Sequence, residues 1–273
     1  MIALDLEHYL QQGFVSNTRV LSCEETSDYR EALSQLIDRH SKQEAFSHWT
    51  YFKSHLLFEW VARLGRTPRI VQHVQSIVGT DVVLWNSFIP VKAPRSVGYF
   101  GWHQDATYWP VAPLDQMVSV WVALGRVSQS NGGMRVIPGS HRWGQMSHET
   151  TFNSASMLRR GQRITDKFSE QESVDLHYEP GEASFHHSYV VHGSGANESA
   201  SWRLAVGFNY ASADVVPTKG CRDSALYIAG ANRNTAFLPE RSASKNLGDE
   251  ELREYERIRE HSGQRYQNLT QNE

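Results

Sequence analysis

Five short runs decide the fold: DVVLWNSFIPV at 81–91, MVSVWVALGRV at 117–127, GMRVIPG at 133–139, VDLHYEPGEASFHH at 174–187 and RLAVGFNYAS at 203–212. Their Val, Trp, Phe and Tyr side chains are branched or flat and pack well on a pleated surface. Gly, Pro, Asn and Ser punctuate the runs with turn chemistry. Short strands separated in this way predict a mainly β chain with flanking helices, folded as a β-sandwich or a jelly roll, the latter a double-stranded β-helix.

Upstream of Asp81 the pattern is helical. Residues 3–12 and 24–39 read as helices; in the second, Leu33, Leu36 and Ile37 recur at i, i+3 and i+4 with charges between them. Residues 55–64 and 68–78 read as two more, the latter opened by Pro68 and closed by Gly79. The first 80 residues are therefore expected to be mostly α. The polar stretch 144–172, with MLRRG at 157–161, is expected to form a lid-like insertion. Residues 217–246 are expected to be irregular. GDEELREYERIREH at 248–261 is expected to form a charged helix with a solvated face and i,i+3 and i,i+4 pairs. The predicted organisation is one domain over 1–273. It has helical support at about 1–80, a jelly-roll core at about 81–214 and a tail with a helix at about 215–273.

The 273 residues are 40% hydrophobic, 21% charged and 11% aromatic, enough for a sizeable core and unlike a disordered chain. A net charge of −3 offers no basic excess for a nucleic-acid or membrane-surface partner. Cys23 and Cys221 form no CxxC pair and no disulfide framework, which suits a reducing compartment. The start, MIALDLEHYLQQGFVSN, lacks the basic and apolar regions of a secretory signal, and LTQNE at the end carries no retention or peroxisomal address. No apolar run approaches the ~18–20 residues of a membrane span. The expected location is cytoplasmic; the oligomeric state is left open.

The informative histidines sit in two places. In GWHQD, 101–105, strand alternation puts His103 and Asp105 on one face and Gln104 on the other. In FHHSYVVHGSG, 185–195, His186, His187 and His192 are three candidates for a further ligand. Two imidazoles and one carboxylate on one face of an octahedron suit non-haem Fe(II) with open positions for a cosubstrate and O2. Arg203 opens the run RLAVGFNY; a guanidinium inside a barrel needs an anion, and a bidentate carboxylate is its natural partner. Ser194 offers a hydroxyl to the same carboxylate.

Three blocks, WHQDATYWPVAPLDQMVSVWVAL (102–124), SQSNGGMRVIPGSH (128–141) and PGEASFHHSYVVHGSGANESASWRLAVGFNYASAD (180–214), resemble the phytanoyl-CoA dioxygenase family of Fe(II)- and 2-oxoglutarate-dependent oxygenases, whose core is cupin-like. The resemblance covers at least 81–214. It implies that His103, Asp105 and His192 hold Fe(II), and that Arg203 and Ser194 bind the far carboxylate of 2-oxoglutarate. Trp121 would line the cosubstrate site, and Asn86 and Lys53 would also contact the cosubstrate. His186 lies six residues before His192, about 20 Å away if the strand is fully extended. One metal could not take both, so His186 reads as a core residue or one lying behind the ligands, and His187 as pointing outward. NGG at 131–133 reads as a tight turn needing positive φ. PGSH at 138–141 reads as a turn ending a strand, which the resemblance implies is mostly structural, although His141 could approach the substrate.

The reaction implied consumes O2 and 2-oxoglutarate, releases succinate and CO2, and hydroxylates an unactivated C–H bond. Related halogenases lack the carboxylate ligand; Asp105 is present here, so hydroxylation is expected. Desaturation, cyclisation and epimerisation share the same centre and stay open. Candidate substrate residues are Thr107, Tyr108, Trp109, Met134, Arg135, Met157 and Arg159, with Arg160 and Gln162. Arginines could recognise a carboxylate or phosphonate, and aromatics could stack on a cation. A small polar metabolite (an amino acid, an aminophosphonate or a natural-product intermediate) fits better than a CoA thioester, for which no Lys/Arg cluster is evident. The alternatives are a carrier-tethered or lipid-like substrate, a zinc hydrolase that leaves Arg203 unexplained, and a non-catalytic jelly-roll binding module.

Overall fold

A computed structural model describes residues 3–107, 109–158, 161–218, 222–231 and 236–271, with side chains in the last helix as far as Ser262. The chain forms two compact units of three segments each. Met1–Leu33, Pro90–Trp109 and Ser119–Val206 make the first; Ser34–Ile89, Pro110–Val118 and Gly207–Glu273 make the second.

The first unit begins with α1 (Leu6–Gln12). Asp5 caps it by accepting from the His8 N–H at 2.9 Å, and Gly13 ends it with φ 83°. A Cβ on Gly13 would sit 2.5 Å from the His141 ring, so both the conformation and the close approach require glycine. Strand β1 (Phe14–Arg19) follows, and helix α2 (Cys23–His40) runs on into the second unit.

The remaining strands of this unit are β3 (Phe100–His103), β6 (Met134–Val136), β7 (His148–Glu149), β8 (Arg163–Ile164), β9 (Val174–Asp175), β10 (Glu182–His187) and β11 (His192–Ser194). Most of β5 (Met117–Ala123) and the start of β12 (Ala205–Ser212) also belong here. Strands β1, β10 and β5 lie side by side; β3, β11, β6 and β9 form a second sheet in that order; β7 and β8 pair alone. Phe14 and Trp121 from the first of these sheets and Val136 from the second share one apolar cluster with Val127, Tyr178 and Val190 from the connecting segments. Two β layers closing on one core are what the alternating runs require.

The second unit holds α3 (Phe46–Tyr51), α4 (Glu59–Leu64), α5 (Pro68–Val78) and α6 (Asp249–Gln271), and the strands β2 (Val82–Phe88), β4 (Val111–Ala112), β13 (Val216–Pro217), β14 (Ser224–Ala229) and β15 (Leu238–Pro239). Strand β2 lies between β12 and β14, with Leu84 opposite both Tyr210 and Leu226. Helix α5 starts at Pro68, ends at Gly79 and buries Ile70 and Val74.

The first 80 residues are mostly helical with one strand among them: β1 pairs antiparallel with β10, Phe14 opposite His186. Its polar outer residues hide the alternation. Two local expectations change. The region 217–246 contains β14, whose apolar run SALYIA is too short to stand out from its polar flanks. Helix α6 is not simply a solvated charge run. Glu254–Arg257 and Glu256–Arg259 pair as expected at 2.8 and 2.7 Å, but Tyr255 and Ile258 are buried. Cys23 is exposed with a free thiol, and Cys221 lies outside the described residues. No described helix is long and apolar enough to cross a membrane.

Candidate metal centre

All the groups of the centre lie in the first unit. Strands β3 and β11 run antiparallel with His103 directly opposite His192. Facing residues of such a pair have Cβ atoms about 5 Å apart, so the rings meet; their centroids are 4.2 Å apart. Strand β3 ends at His103, so Asp105 comes from the turn just past it rather than by strand alternation. One nitrogen from each imidazole and one Asp105 oxygen lie within 4.8 Å of one another. Asp105 Oδ1 is 3.6 Å from His103 Nε2 and 3.7 Å from His192 Nε2. Gly193, between His192 and Ser194, packs against the neighbouring strand; a Cβ there would meet Phe100 O at 3.0 Å.

Both imidazoles are oriented by backbone. His103 Nδ1 faces Gly101 O at 2.7 Å, and His192 Nδ1 faces Val190 O at 3.1 Å. A carbonyl accepts only, so each Nδ1 carries the hydrogen and each Nε2 lone pair points inward. Burial and the adjacent His103 push His192 down to about 3, which keeps it neutral. Burial alone would raise Asp105, but the imidazoles around it, with His186 Nε2 turned to its second oxygen, hold it well below the usual carboxylate range. Two neutral imidazoles and one carboxylate converging from one side form a donor set that fits Fe(II).

Ser194 lies two residues beyond His192, on the same face of β11. Its Oγ accepts from Lys92 Nζ at 2.7 Å, and Lys92 also donates to Gly195 O. Lys92 and Arg203 form an isolated bridge through their backbones. Arg203 donates to Gly132 O at 2.6 Å and Pro90 O at 2.5 Å, which fixes the guanidinium plane. Trp121 lies 5.5 Å from that plane's carbon, and Phe100 lies against both basic groups. Burial and the charge of Arg203 pull the Lys92 ammonium down to about 6. A buried guanidinium beside a second buried basic group, which an arriving anion would help to protonate, fits a bound carboxylate. Gly132 adopts φ 80°, as the NGG turn required; a Cβ would meet Gly195 O at 2.8 Å and Lys92 Cδ at 2.9 Å.

Sequence reasoning missed Lys92. The signal was present in FIPVKAPRS, a lysine inside an apolar run, but a single lysine there is uninformative without its neighbours. Lys53 and Asn86 belong to the second unit. Lys53 Nζ pairs with Glu240 at 2.7 Å and donates to Ser224 O and Trp85 O, which occupies its three hydrogens. Asn86 Oδ1 accepts from the Lys53 backbone N–H at 2.9 Å, holding that residue at φ 47°.

His186 corrects the extended-strand argument. The chain reverses at Ser188-Tyr189, with Val190 N–H donating to His187 O, so the His186 and His192 rings stand 5.0 Å apart. His141 packs on the end of α1, 3.1 Å from Leu10 O, and rests against His187.

Among the substrate candidates, Thr107 Oγ1 is 3.1 Å from His148 Nε2 and accepts from Gln145 Nε2 at 3.1 Å. Gln104, facing away from the centre, binds Gly144 O and Met146 N–H at 2.8 Å each, anchoring the 144–172 segment. Met157 N–H donates to Tyr99 O at 2.8 Å. Met134 is committed to the core and Arg135 to Asp175 at 3.1 Å, so neither reads as a substrate group. Trp109 is half-buried; Tyr108, Arg159 and Arg160 lie outside the described residues.

A family model described as phytanoyl-CoA dioxygenase (PhyH) matches residues 9–205. The human peroxisomal phytanoyl-CoA dioxygenase is 29% identical over 150 residues, 54% of this chain and 44% of that protein. The match thus spans under half of that relative. A probable alpha-ketoglutarate-dependent hypophosphite dioxygenase of Stutzerimonas stutzeri is 27% identical over 87% of this chain and 88% of its own. Among solved structures, the apo form of a non-heme monooxygenase, ThoJ, superposes with a TM-score of 0.85 at 27% identity, covering 98% of this chain and 99% of that one. The jelly-roll class expected from the strand runs and the resemblance is the observed one.

Proposed function

The chain belongs to the phytanoyl-CoA dioxygenase family, and we propose that it is an Fe(II)- and 2-oxoglutarate-dependent dioxygenase hydroxylating a C–H bond of a small polar metabolite. The observation that carries this reading is the pairing, within one unit, of the His103–Asp105–His192 set with two buried basic side chains, Lys92 and Arg203. A zinc hydrolase would account for the first and leave the second without a purpose.

His103, Asp105 and His192 would hold the metal, and Lys92, Arg203 and Ser194 the far carboxylate of 2-oxoglutarate. His192 and Ser194 stand about 6.5 Å apart along β11, two residues of strand rise. A five-carbon diacid measures about 5 Å between its terminal carbons at bonds of about 1.5 Å. Bound together, iron, 2-oxoglutarate and O2 supply the oxidising power. The protein's part is to orient: Gly101 O and Val190 O aim the imidazoles, and Trp121 and Phe100 keep water from the basic groups. Thr107, Gln145 and His148 set hydrogen-bonding groups two residues beyond Asp105 and onward, which favours a polar substrate. The relative named for hypophosphite, a small anion, agrees.

Anaerobic addition of Fe(II) and 2-oxoglutarate should produce the weak visible charge-transfer absorption of the chelate. Screening amino acids, aminophosphonates and related small metabolites in air should then find substrate-dependent succinate release. Protein that fills with iron and shows no chelate band would end the 2-oxoglutarate reading.

Arg203→Ala should raise the KM for 2-oxoglutarate about 10–100-fold, since hydrogen bonds to charged groups contribute roughly 1.5–3 kcal/mol. Lys92→Met should raise it about tenfold. Wild-type Lys92 gains its charge as the pH falls towards 6 and the variant cannot, so the gap in KM should widen between pH 8 and pH 6. Unchanged KM values in both variants would move the cosubstrate elsewhere.

A further inference from the structure

The two oxygens of Asp105 have different surroundings. Oδ1 faces the two Nε2 lone pairs described above. Oδ2 accepts from Ser119 Oγ at 2.5 Å and lies 3.4 Å from His186 Nε2. His186 is 4% exposed, on β10, next to the His192 ring. A third imidazole therefore stands at the centre, and its ring is oriented unlike the other two.

The ligand imidazoles turn Nδ1 to a backbone carbonyl, leaving Nε2 as a lone pair. Among the described residues His186 Nδ1 faces no carbonyl; its neighbour is the Ser184 hydroxyl at 3.5 Å, two residues back on the same strand. A hydroxyl can donate or accept, so it imposes no hydrogen on Nδ1. The carboxylate oxygen opposite Nε2 only accepts, so the hydrogen sits on Nε2. A nitrogen carrying its hydrogen has no lone pair for a cation.

We infer that His186, together with Ser119, is a positioning residue that holds Oδ2 of Asp105 by hydrogen bonds, so that Asp105 offers only Oδ1 to the metal. This rests on the iron reading above. A six-coordinate metal on three protein atoms keeps three places, two for a chelating cosubstrate and one for O2. A carboxylate free to swing would take one of them with its second oxygen. Two donors on Oδ2 prevent that swing, and they come from adjacent strands of one sheet, β5 and β10. Partners of this kind, one bond behind a ligand, typically alter metal affinity 10–100-fold when removed.

Anaerobic Co(II) titration of the full chain, followed by visible absorption and without turnover, tests this. Wild type should bind one Co(II). His186→Phe and Ser119→Ala should each weaken binding about 10–100-fold and change the intensity of the Co(II) bands as the carboxylate becomes bidentate. His186→Gln, whose amide N–H occupies the place of Nε2–H, should recover the wild-type spectrum and stay within about threefold in affinity. Ser119→Ala removes the smaller donor to the same oxygen and keeps the test open if His186→Phe does not fold.

Wild-type affinity and spectrum in both His186→Phe and Ser119→Ala overturn the proposal. So does a loss in His186→Phe that His186→Gln fails to restore, because His186 would then be a ligand or a space-filler. Failure of the wild-type protein to take up Co(II) would instead remove the metal centre itself.

Discussion

Asp105→Ala protein is expected to bind Fe(II) or Co(II) more than about 100-fold more weakly than wild type, since loss of a ligand must exceed the 10–100-fold typical of a partner behind one. Turnover should vanish with it. Asp105 is the carboxylate of the His103–Asp105–His192 group, the one such group among the described residues. Without it, two neutral imidazoles face a dication with no compensating charge. The fold should survive. Ser119 and His186 lose an acceptor, at roughly 1–3 kcal/mol each, while the burial of a charge is relieved.

Thermal melting separates the two effects. Metal at about 100 times its Kd stabilises by about 2.7 kcal/mol. That is a rise in Tm of about 5–10 °C for a chain of this size. Wild type should show the rise and Asp105→Ala should not, with apo melting temperatures close together. Retention of most turnover, or an equal metal-induced rise, would refute the ligand role of Asp105.

Glu240→Ala should destabilise the protein by about 3–5 kcal/mol, the usual cost of removing one partner from a buried ion pair. Glu240 Oε1 pairs with Lys53 Nζ at 2.7 Å and Oε2 with His55 Nε2 at 2.7 Å, all three side chains being almost wholly buried in the second unit. Ser224 Oγ donates to the same carboxylate at 2.6 Å, and Ser87 Oγ holds His55 Nδ1 at 2.7 Å. Nearby, Asp223 accepts from Trp85 Nε1 at 2.5 Å. Alanine leaves the Lys53 ammonium with carbonyls and a more distant Asp223 at 4.0 Å.

The pH dependence has a definite sign. Burial would raise Glu240, but Lys53 and His55 outweigh it and hold the carboxyl at about 2, so its stabilising effect is complete above the unfolded value near 4.5 and fades as the pH falls towards 2. Burial lowers His55 below 6.5, so the unfolded chain takes up its proton first and stability already declines as the pH falls below about 6.5. Both groups act in the same direction. Wild-type Tm should fall steadily from pH 7 to pH 4 and further towards pH 2; Glu240→Ala should show a shallower decline below pH 4.5. Equal Tm values for the two proteins at pH 7, by calorimetry, would show that the cluster contributes nothing.

Much of the site was legible because it is local. His192 and Ser194 share a face of β11 through strand alternation, and Asp105, in the turn just past β3, stays close enough to His103 in sequence to reach the same centre. The turn glycine Gly132 betrays its φ by residue type alone. The missed elements are those whose local pattern is weak. The outer residues of β1 are polar and β14 is short, so each gains strand character from the strands it pairs with, β10 and β2. Likewise α6 reads as a charge run, because Tyr255 and Ile258 are sparse among its acids and bases.

By itself, the order of apolar runs and turn residues indicated a β-sandwich or jelly roll, and the resemblance carried by the HxD…HGSG…R motifs singled out the jelly roll, three candidate ligands and the arginine. Tertiary structure alone decided which lysine stands beside Arg203, that Lys53 is committed to Glu240, and that His186 returns to within reach of Asp105. The physical reason is that a strand's periodicity sets which face a side chain takes, a matter of adjacent residues. The partner a buried charge or imidazole meets depends on where the chain reverses and which distant strand comes alongside. Lys53 and Glu240, or Asp105 and His186, are neighbours only because burial brought segments far apart in sequence into contact, and the low dielectric there makes each partner choice decisive.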